Sequence, residues 1–406
     1  VKKFFVLWSS QAASLLGSAL VDFSLAWYLT RETGSATILA TALMVAMIPP
    51  IVLGPFTGPL IDRWSRKKIM IFSDAFISLL TVVLVVLFYT KTIQIWHIYV
   101  VLIGRTAGGT FQNPALGASI PMIVPEKQLV RANGLYQMLQ YGIRVISPIA
   151  GAFFLELFPM YGVLSIDIIT AVIAIACIIP LGIPQPAPAA LAIKPNYYND
   201  MKQGFQYILS RRGLVMLIVM ITALVFFTAA PANLMPVLVN KHLGGDVIKL
   251  GWLGTAGGIG GIAGGMLLGA WGGLKKKIWT AFLGFLIMIP CSVVVGFTSV
   301  GIFYSTTLPA LLFMGVGNAF VNAPLAAIIN SVVAKDFQGR VLSLQTSIVV
   351  AAMPLGLVIG GLVADALDIR SLYWIAAAAW LVILPLATLS KSLMNLENEK
   401  TDEAAA

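Results

Sequence analysis

Charge is what this sequence has least of. Only 10% of its 406 residues are Asp, Glu, Lys or Arg, and just 16 of them are acidic. A soluble domain carries about 25% charged residues, and a chain that is 59% hydrophobic by count has more apolar surface than such a domain can hide. The shortage excludes a soluble enzyme, a disordered chain and a nucleic-acid binder. Cysteine and histidine are nearly as scarce. Cys177 and Cys291 sit inside apolar stretches in opposite halves of the chain and supply neither a disulfide framework nor a metal site. His97 and His242 are too far apart in sequence to suggest a metal, and none is expected. There is no Walker-type phosphate loop, which argues against direct ATP drive. No nucleophile and base stand at a definite spacing, and the ten-residue alternation of a membrane barrel is absent. The expectation is a protein that is not an enzyme and uses no cofactor.

Long apolar runs are what the chain has instead. A helix rises about 1.5 Å per residue and needs about 20 residues to cross the hydrocarbon of a bilayer. Candidate spans fall at 4–29, 36–60, 69–90, 95–118, 131–155 and 161–181, then at 213–240, 249–272, 276–297, 302–332, 340–365 and 369–390. The first is too long for a signal peptide, contains Gln11 and Asp22 and lacks a small-residue cleavage site, so it reads as a span. With twelve spans drawn, the net charge of +10 acquires a pattern. Nineteen of the 26 Lys and Arg residues fall on one side, five on the other, and Arg105 and Arg144 lie within spans. The positive-inside rule then puts both termini and the long middle loop in the cytoplasm. The excess of positive charge is an orientation code and implies no nucleic-acid partner.

The only substantial break, 182–212, opens with Pro184, Pro186 and Pro188, which favour an extended linker. It continues as DMKQGFQYILSRR, where Met201, Phe205 and Ile208 fall at i, i+4 and i+7 and Asn199 or Asp200 is placed to cap a turn. The spacing predicts a short amphipathic helix on the membrane surface. The linker separates a six-span bundle at 1–181 from another at 213–390, with a tail at 391–406. The bundles are copies: NPALGASIPMIVPEKQLVRANGL aligns with APLAAIINSVVAKDFQGRVLSL, so that Arg131 matches Arg340, about 209 residues on. Pro148 and Gly151 correspond roughly to Pro354 and Gly360. Parallel six-span halves related by an axis along the membrane normal are a transporter plan.

Between spans two and three the chain reads GPLIDRWSRKK, Gly58 to Lys68. Gly58 permits close helix contact, Asp62 is placed to face a helix N-terminus, and Arg63, Arg66 and Lys67 form a basic cluster. The segment resembles the loop signature of the major facilitator superfamily, with Ser65 in place of that pattern's second glycine. Arg105 with Gly109 resembles the superfamily's fourth-helix pattern, and Ser147-Pro148-x-x-Gly151 is a degraded form of its antiporter motif. Together with YLTRETGSA, FQNPAL, GRVLSL and MPLGLVIGGLVAD, these segments resemble bacterial macrolide-efflux-type drug:proton antiporters along the whole chain. The resemblance implies an all-α fold of twelve transmembrane helices in two pseudo-symmetric halves. It also implies that the loop latches the halves in one state, with Asp62 near Gly339 and Arg340. The matching loop of the second half keeps Lys275, Lys276 and Lys277 but has no Asp.

An ionisable side chain at the bilayer centre costs roughly 2.5–3.5 kcal/mol on insertion scales. Asp22, Arg105, Arg144 and Asp167 lie well inside spans, all in the first half, and are the candidate proton-coupling residues. Gln11, Ser14, Ser18 and Asp22 follow a 3–4 spacing and make one polar stripe. Gln137, Gln140, Tyr141 and Arg144 make another, and Arg105, Gly108 and Gln112, followed by Asn113, a third. These stripes are expected to line a wet cavity between the halves. Desolvation favours a neutral carboxyl and a nearby Arg favours the anion, so Asp22 alternating between such surroundings would load and release a proton. The alternative is a static Asp22–Arg pair that fixes helix packing. Asp167, alone on its span, carries the same two readings, and Asp74 is expected to pair with the basic loop.

The second half offers Phe226 and Asn233 on span seven and Asn318 and Asn322 on span ten, an apolar and amide wall without charge. Trp27, Tyr136, Tyr141 and Phe226 either stack on a large amphipathic ligand or serve as core and lipid-facing groups. Span eight is glycine-rich, and Gly254/Gly258, Gly257/Gly261 and Gly261/Gly265 at i, i+4 suit close helix contact. The resemblance implies proton-coupled export of amphipathic drugs or hydrophobic metabolites by alternating access. The expected partners are a small amphipathic substrate, the proton and membrane lipids, for a monomer in a bacterial cytoplasmic membrane. A lipid or lysolipid flippase and a cation-coupled symporter use the same scaffold. A channel or non-transporting receptor has no use for a latch.

Overall fold

Backbone N–H and C=O groups that leave water must be paired within their own segment, and apolar runs of this length meet that demand as helices. The computed structural model describes the backbone of residues 2–125, 128–184, 197–334 and 337–396, and their side chains except those of Lys2, Pro55, Gly58, Pro59, Asp62, Arg63, Val130 and residues 197–200. The first half holds α1 (Lys2–Thr33), α2 (Ala36–Arg63), α3 (Arg66–Tyr89), α4 (Ile95–Ile123), α5 (Leu129–Leu157) and α6 (Met160–Ile178). A shorter α7 (Tyr197–Ser210) leads into α8 (Arg212–Asn233), α9 (Met235–His242), α10 (Val247–Trp271), α11 (Lys277–Gly296), α12 (Leu308–Val332), α13 (Gln338–Leu367), α14 (Ser371–Leu389) and the single turn α15 (Lys391–Met394).

Among the described residues, 11 helices are long and apolar enough to cross a membrane. The twelfth long helix is α4, which carries Arg105, Gln112 and two internal prolines, Pro114 and Pro121. Two expected spans are not single helices. The seventh breaks at Leu234 into α8 and α9, with Pro236 in the first turn of α9, where a missing N–H costs nothing. The tenth begins as a 3₁₀ turn at Val300–Ile302 and a π turn at Phe303–Thr307 before α12. The surface is apolar where a soluble protein would be polar. On α3, Phe72, Phe76, Leu79, Val83 and Val86 are exposed while Asp74, Ser78 and Thr81 are buried. That inversion is what lipid as solvent selects.

The chain forms two compact units that exchange short segments: Val1–Gly34, Thr41–Ala192 and Asp246–Thr255 make one, and Ser35–Ala40, Ile193–Gly245 and Ala256–Ala406 the other. In the first unit α1 packs on α5 and α6, and α3 on α4 and α6. Pro148 of α5 meets the first turns of α10, where a Cβ added at Gly254 would lie 2.8 Å from the proline ring. In the second unit α11 packs on α12 and α14, and α8 on α13, around a core that includes Phe285 and Trp380.

Of the glycine pairs expected on span eight, Gly257/Gly261 meets α12, where a Cβ at Gly315 would strike the Gly257 carbonyl and lie 2.8 Å from the Gly261 nitrogen. Gly257, Gly260 and Gly264 meet the backbone of α12 at Leu312, Gly315 and Val316, so a side chain at Gly260 would strike the Leu312 carbonyl. A Cβ at Gly265 would meet nothing within 4 Å, and one at Gly261 only the Gly315 carbonyl at 4.0 Å. Gly254 lies against Pro148 of α5, and Gly258 is half-buried. Consecutive small residues offered several faces, and the α12 backbone selected one. Gly151 packs on Phe23 of α1.

The apolar face expected on α7 is divided. Ile208 enters the core of the second unit and Gly204 sits against Arg340, while Met201, Phe205 and Leu209 remain exposed along one side. Because α7 already runs from Tyr197, Asn199 and Asp200 fall inside its first turn, and their side chains lie outside the described residues. Residues 185–196, with Pro186 and Pro188, and residues 397–406 lie outside the described residues.

At the end of the helices away from most of the Lys and Arg, the second unit carries a charge cluster that sequence reading missed. Asp365, in the last turn of α13, accepts from Ser35 Oγ at 2.7 Å, Ala36 N at 2.8 Å and Thr37 N at 2.9 Å. A carboxylate from another helix thus satisfies the first N–H groups of α2, where the helix dipole favours an anion. Lys241 lies 3.7 Å from the same carboxylate. Beside it His242 Nε2 lies 3.0 Å from both oxygens of Asp368, whose φ of 111° is costly for a residue with a Cβ. Burial works against the Asp368 anion, but the Arg370 backbone N–H, His242 and the Arg370 guanidinium outweigh it and hold the carboxyl below its ordinary range.

Candidate functional site

The ionisable residues of the first unit converge because glycines let their helices close on one another. A Cβ at Gly104 or Gly108 of α4 would lie 2.5 Å or 2.7 Å from Leu80 or Ile77 of α3, and one at Gly17 of α1 would strike Thr170 of α6. These approaches flank Arg105 on α4 and bring α1, α3 and α6 around it.

Arg105 is 4% exposed and Asp167 of α6 is 1% exposed, and Nη1 of the first donates to Oδ2 of the second at 2.7 Å. Asp167 is further held by Ser18 Oγ at 2.8 Å and Thr81 Oγ1 at 2.7 Å. Arg105 also donates to Thr81 Oγ1, and its Nη2 to the Ser18 carbonyl at 3.3 Å. Asp22, one turn further along α1, is a looser partner: Oδ1 lies 3.6 Å from Arg105 Nη2 and its side chain is 59% exposed. Arg105 Nε is buried with no partner among the described atoms. One guanidinium therefore serves two carboxylates, a buried one in tight contact and an open one in weak contact. Asp167, which stands alone in its own span, is the better bonded of the two. Thr81, whose hydroxyl joins Asp167 to Arg105, carries no charge to mark it in the sequence.

Asp22 opens onto a cavity of about 610 Å³ within the first unit, lined also by Ser18, Arg105, Gln112, Asn113, Gln140 and Arg144 and floored by apolar groups such as Leu15 and Ile77. Arg144 makes no ion pair among the described residues, so the cavity has one free cation and one weakly held anion on its wall. Gly109 adds to the lining.

Other residues expected to face substrate are not in the lining of this first-unit cavity. Gln11 is fully buried and Trp27 is 4% exposed, neither on the cavity wall, while Gln137 and Tyr141 are exposed outside its lining. In the second unit Asn233 donates to the Ala229 carbonyl at 2.8 Å, a bond inside its own helix. Asn322 donates to Asn318 Oδ1 at 3.0 Å, and both are exposed on α12. Phe226 packs its backbone on Gly356 and its ring edge-on to Phe227.

The polar stripe of α1 divides along its length. Ser18 and Asp22 turn to Arg105 and Asp167, whereas Gln11 and Ser14 turn to Asp74 of α3. Contrary to the expectation from sequence, Asp74 does not pair with the basic loop. It is held instead by Gln11, Ser14 and Gln112, because it lies two turns into α3 and faces α1 and α4.

Of the latch residues, the side chains of Gly58, Asp62 and Arg63 lie outside the described residues. Arg66, expected in an open basic cluster, is 8% exposed and donates to the Ala118 carbonyl of α4 at 2.7 Å. Lys67 donates to the Ile179 carbonyl at the end of α6. Lys67 thus completes the C-terminus of α6, where a cation is favoured. Arg340 donates to Gln203 of α7 at 2.8 Å and lies over the Phe337 ring.

Comparison with known proteins places this arrangement. The family profile described as Major Facilitator Superfamily matches residues 7–348 and 215–404. The chain is 30% identical over 382 residues to Macrolide efflux protein A of Streptococcus pyogenes, covering 94% of this chain and 93% of that protein. It is 23% identical over 389 residues to the Multidrug efflux pump Tap of Mycobacterium bovis, covering 91% and 88%. Among solved structures, a bacterial homologue of the iron transporter ferroportin in its inward-facing state superimposes with a TM-score of 0.70 over 98% of each chain at 13% identity, a likeness of fold. With its twelve long helices, its repeat and its membrane-buried charges, the chain belongs to the major facilitator superfamily and is a multi-pass membrane transporter.

Proposed function

We propose that this transporter exports amphipathic, drug-like molecules in exchange for protons. Asp22, Arg105 and Asp167 are the coupling groups, and Arg144 is the cationic wall of the same cavity. The carrying observation is the unequal sharing of Arg105: a tight bond to buried Asp167 at 2.7 Å and a weak one to open Asp22 at 3.6 Å. Asp167, bonded directly to a permanent cation, fixes Arg105 in place. Asp22, weakly paired and reachable from the cavity, is the group that can change partner. Its carboxylate takes either a proton or the ammonium of a cationic amphipath, and competition for one carboxylate is sufficient for exchange. A proton moving inward supplies about 2.3 kcal/mol per 100 mV of membrane potential.

The relatives' names, a macrolide efflux protein and a multidrug efflux pump, support the substrate class and the direction. The skewed distribution of Lys and Arg supports a bacterial cytoplasmic membrane with both termini inside. Asp62 and Arg340 remain the proposed latch. The protein is read as a monomer without a cofactor.

A substrate panel tests the class. Purified protein in liposomes with an acidic lumen is offered macrolides, cationic dyes and lysolipids. The expected result is several-fold accumulation of macrolide and dye over empty liposomes, with lysolipid unmoved. Lysolipid transfer without macrolide accumulation would make the protein a flippase.

A further inference from the structure

Asp74 takes no part in the arrangement around Arg105, yet it is among the most enclosed charges in the chain. It is 2% exposed, and the three side chains around it, Gln11, Ser14 and Gln112, are 0%, 2% and 3% exposed. Gln11 Nε2 lies 2.9 Å from Oδ2, and Ser14 Oγ and Gln112 Nε2 lie 2.8 Å and 2.6 Å from Oδ1. Gln112 Nε2 also lies 3.1 Å from Gln11 Oε1, which closes the ring.

Among the described residues, no cation completes the cluster. On α3 itself Arg66 is spent on the Ala118 carbonyl and Lys67 on the Ile179 carbonyl. On α4 the guanidinium of Arg105 is committed to Asp167 and Asp22. The group that faces Asp74 from α6 is the Asp167 carboxylate, of like sign. On α1 the only carboxyl within the span is Asp22. An anion here would be a second buried carboxylate, while the buried cations among the described residues, Arg66 and Arg105, are bonded elsewhere, and an isolated buried charge is neutralised before it is tolerated.

The partners are also of an unusual kind. Every one is reversible: a glutamine amide turns over to present oxygen instead of nitrogen, and a serine hydroxyl rotates. The cage can donate to a carboxylate or accept from a carboxylic acid without moving a helix. Asp167, whose main partner is an arginine that cannot deprotonate, has no such freedom. Gln112 belongs both to the cage and to the wall of the 610 Å³ cavity, so one amide separates Asp74 from water.

We infer that Asp74 is a second proton-binding site of the first unit, occupied at neutral pH in this arrangement of α1, α3 and α4. Its ligand is the proton alone, held by a carboxyl among amides. Loss of that proton is tied to movement of the Gln112 side chain, which admits water from the cavity. The consequence for transport rests on the proton-coupled reading above, whereas the occupancy does not.

Infrared difference spectroscopy of the full-length protein in lipid reads the protonated carboxyl directly. The expected result is a protonated-carboxyl stretch at neutral pH that is lost in Asp74→Asn, shifted in Asp74→Glu and retained in Asp22→Asn and Asp167→Asn. In Gln112→Ala, which opens the site to the cavity, the band disappears at neutral pH and returns in more acidic buffer. A spectrum unchanged by both Asp74→Asn and Asp74→Glu would overturn the inference. Proton-coupled transport without this band would sink the Asp74 site and leave the efflux reading intact. The band without coupled transport would do the reverse.

Discussion

Asp22→Asn is expected to abolish accumulation of substrate against a gradient. Asparagine has nearly the shape of the neutral acid, and the Asp22 side chain is 59% exposed and reaches Arg105 only at 3.6 Å, so folding loses little. What disappears is the exchange of proton for substrate at one carboxylate. In a one-for-one exchange, a gradient of one pH unit is worth about 1.4 kcal/mol, close to a tenfold accumulation ratio. That ratio should fall to one in Asp22→Asn, and the downhill efflux that remains from preloaded liposomes, slowed by loss of the ammonium's partner, should no longer respond to the pH gradient. Retention of full gradient-driven accumulation would make Asp22 a structural member of the Arg105 pair and would move the carrier role elsewhere.

Arg105→Leu has the largest expected effect on stability. It removes the only described cation that touches Asp167, a carboxylate 1% exposed, and leaves that charge in the interior with two hydroxyls for company. Breaking one side of a buried pair costs about 3–5 kcal/mol, which corresponds to a fall in melting temperature on the order of 10 °C. The double variant Arg105→Leu with Asp167→Asn should recover most of this loss, because removing both charges also removes the desolvation penalty they shared. Thermal unfolding of the detergent-solubilised protein, followed by tryptophan fluorescence, separates the outcomes. A single variant as stable as wild type would show that Arg105 does not organise α1, α3, α4 and α6.

The scarcity of charge in the spans makes Asp22, Arg105 and Asp167 conspicuous in the sequence. It does not say who pairs with whom. Ser18 and Asp167 are 149 residues apart, and Gln11 and Asp74 are 63. Their meeting depends on the rotation of each helix about its axis, which a 3–4 spacing leaves free. For the same reason the stripe on α1 is legible as a stripe but not as two sites. Proximity along the chain assigns Asp74 to the nearest basic loop, whereas its partners lie across the bundle. Span eight shows the complementary limit. Its glycines announce close packing, but with so many small residues in succession only the α12 backbone decides that Gly260 and Gly264 carry it and Gly265 does not. Asp365 is invisible for a third reason: its partners are backbone N–H groups at the start of α2, and backbone donors leave no trace in residue identity. The repeat, the span count and the loop signature are readable because each rests on local pattern.

The proton movement that accompanies substrate tests the central claim most directly. Liposomes containing the transporter and a lumenal pH indicator, with no imposed gradient and the membrane potential clamped, receive macrolide from outside. Exchange predicts that the lumen turns alkaline as substrate enters, and that the signal vanishes in Asp22→Asn. Acidification of the lumen, or substrate entry with no change in pH, would contradict it.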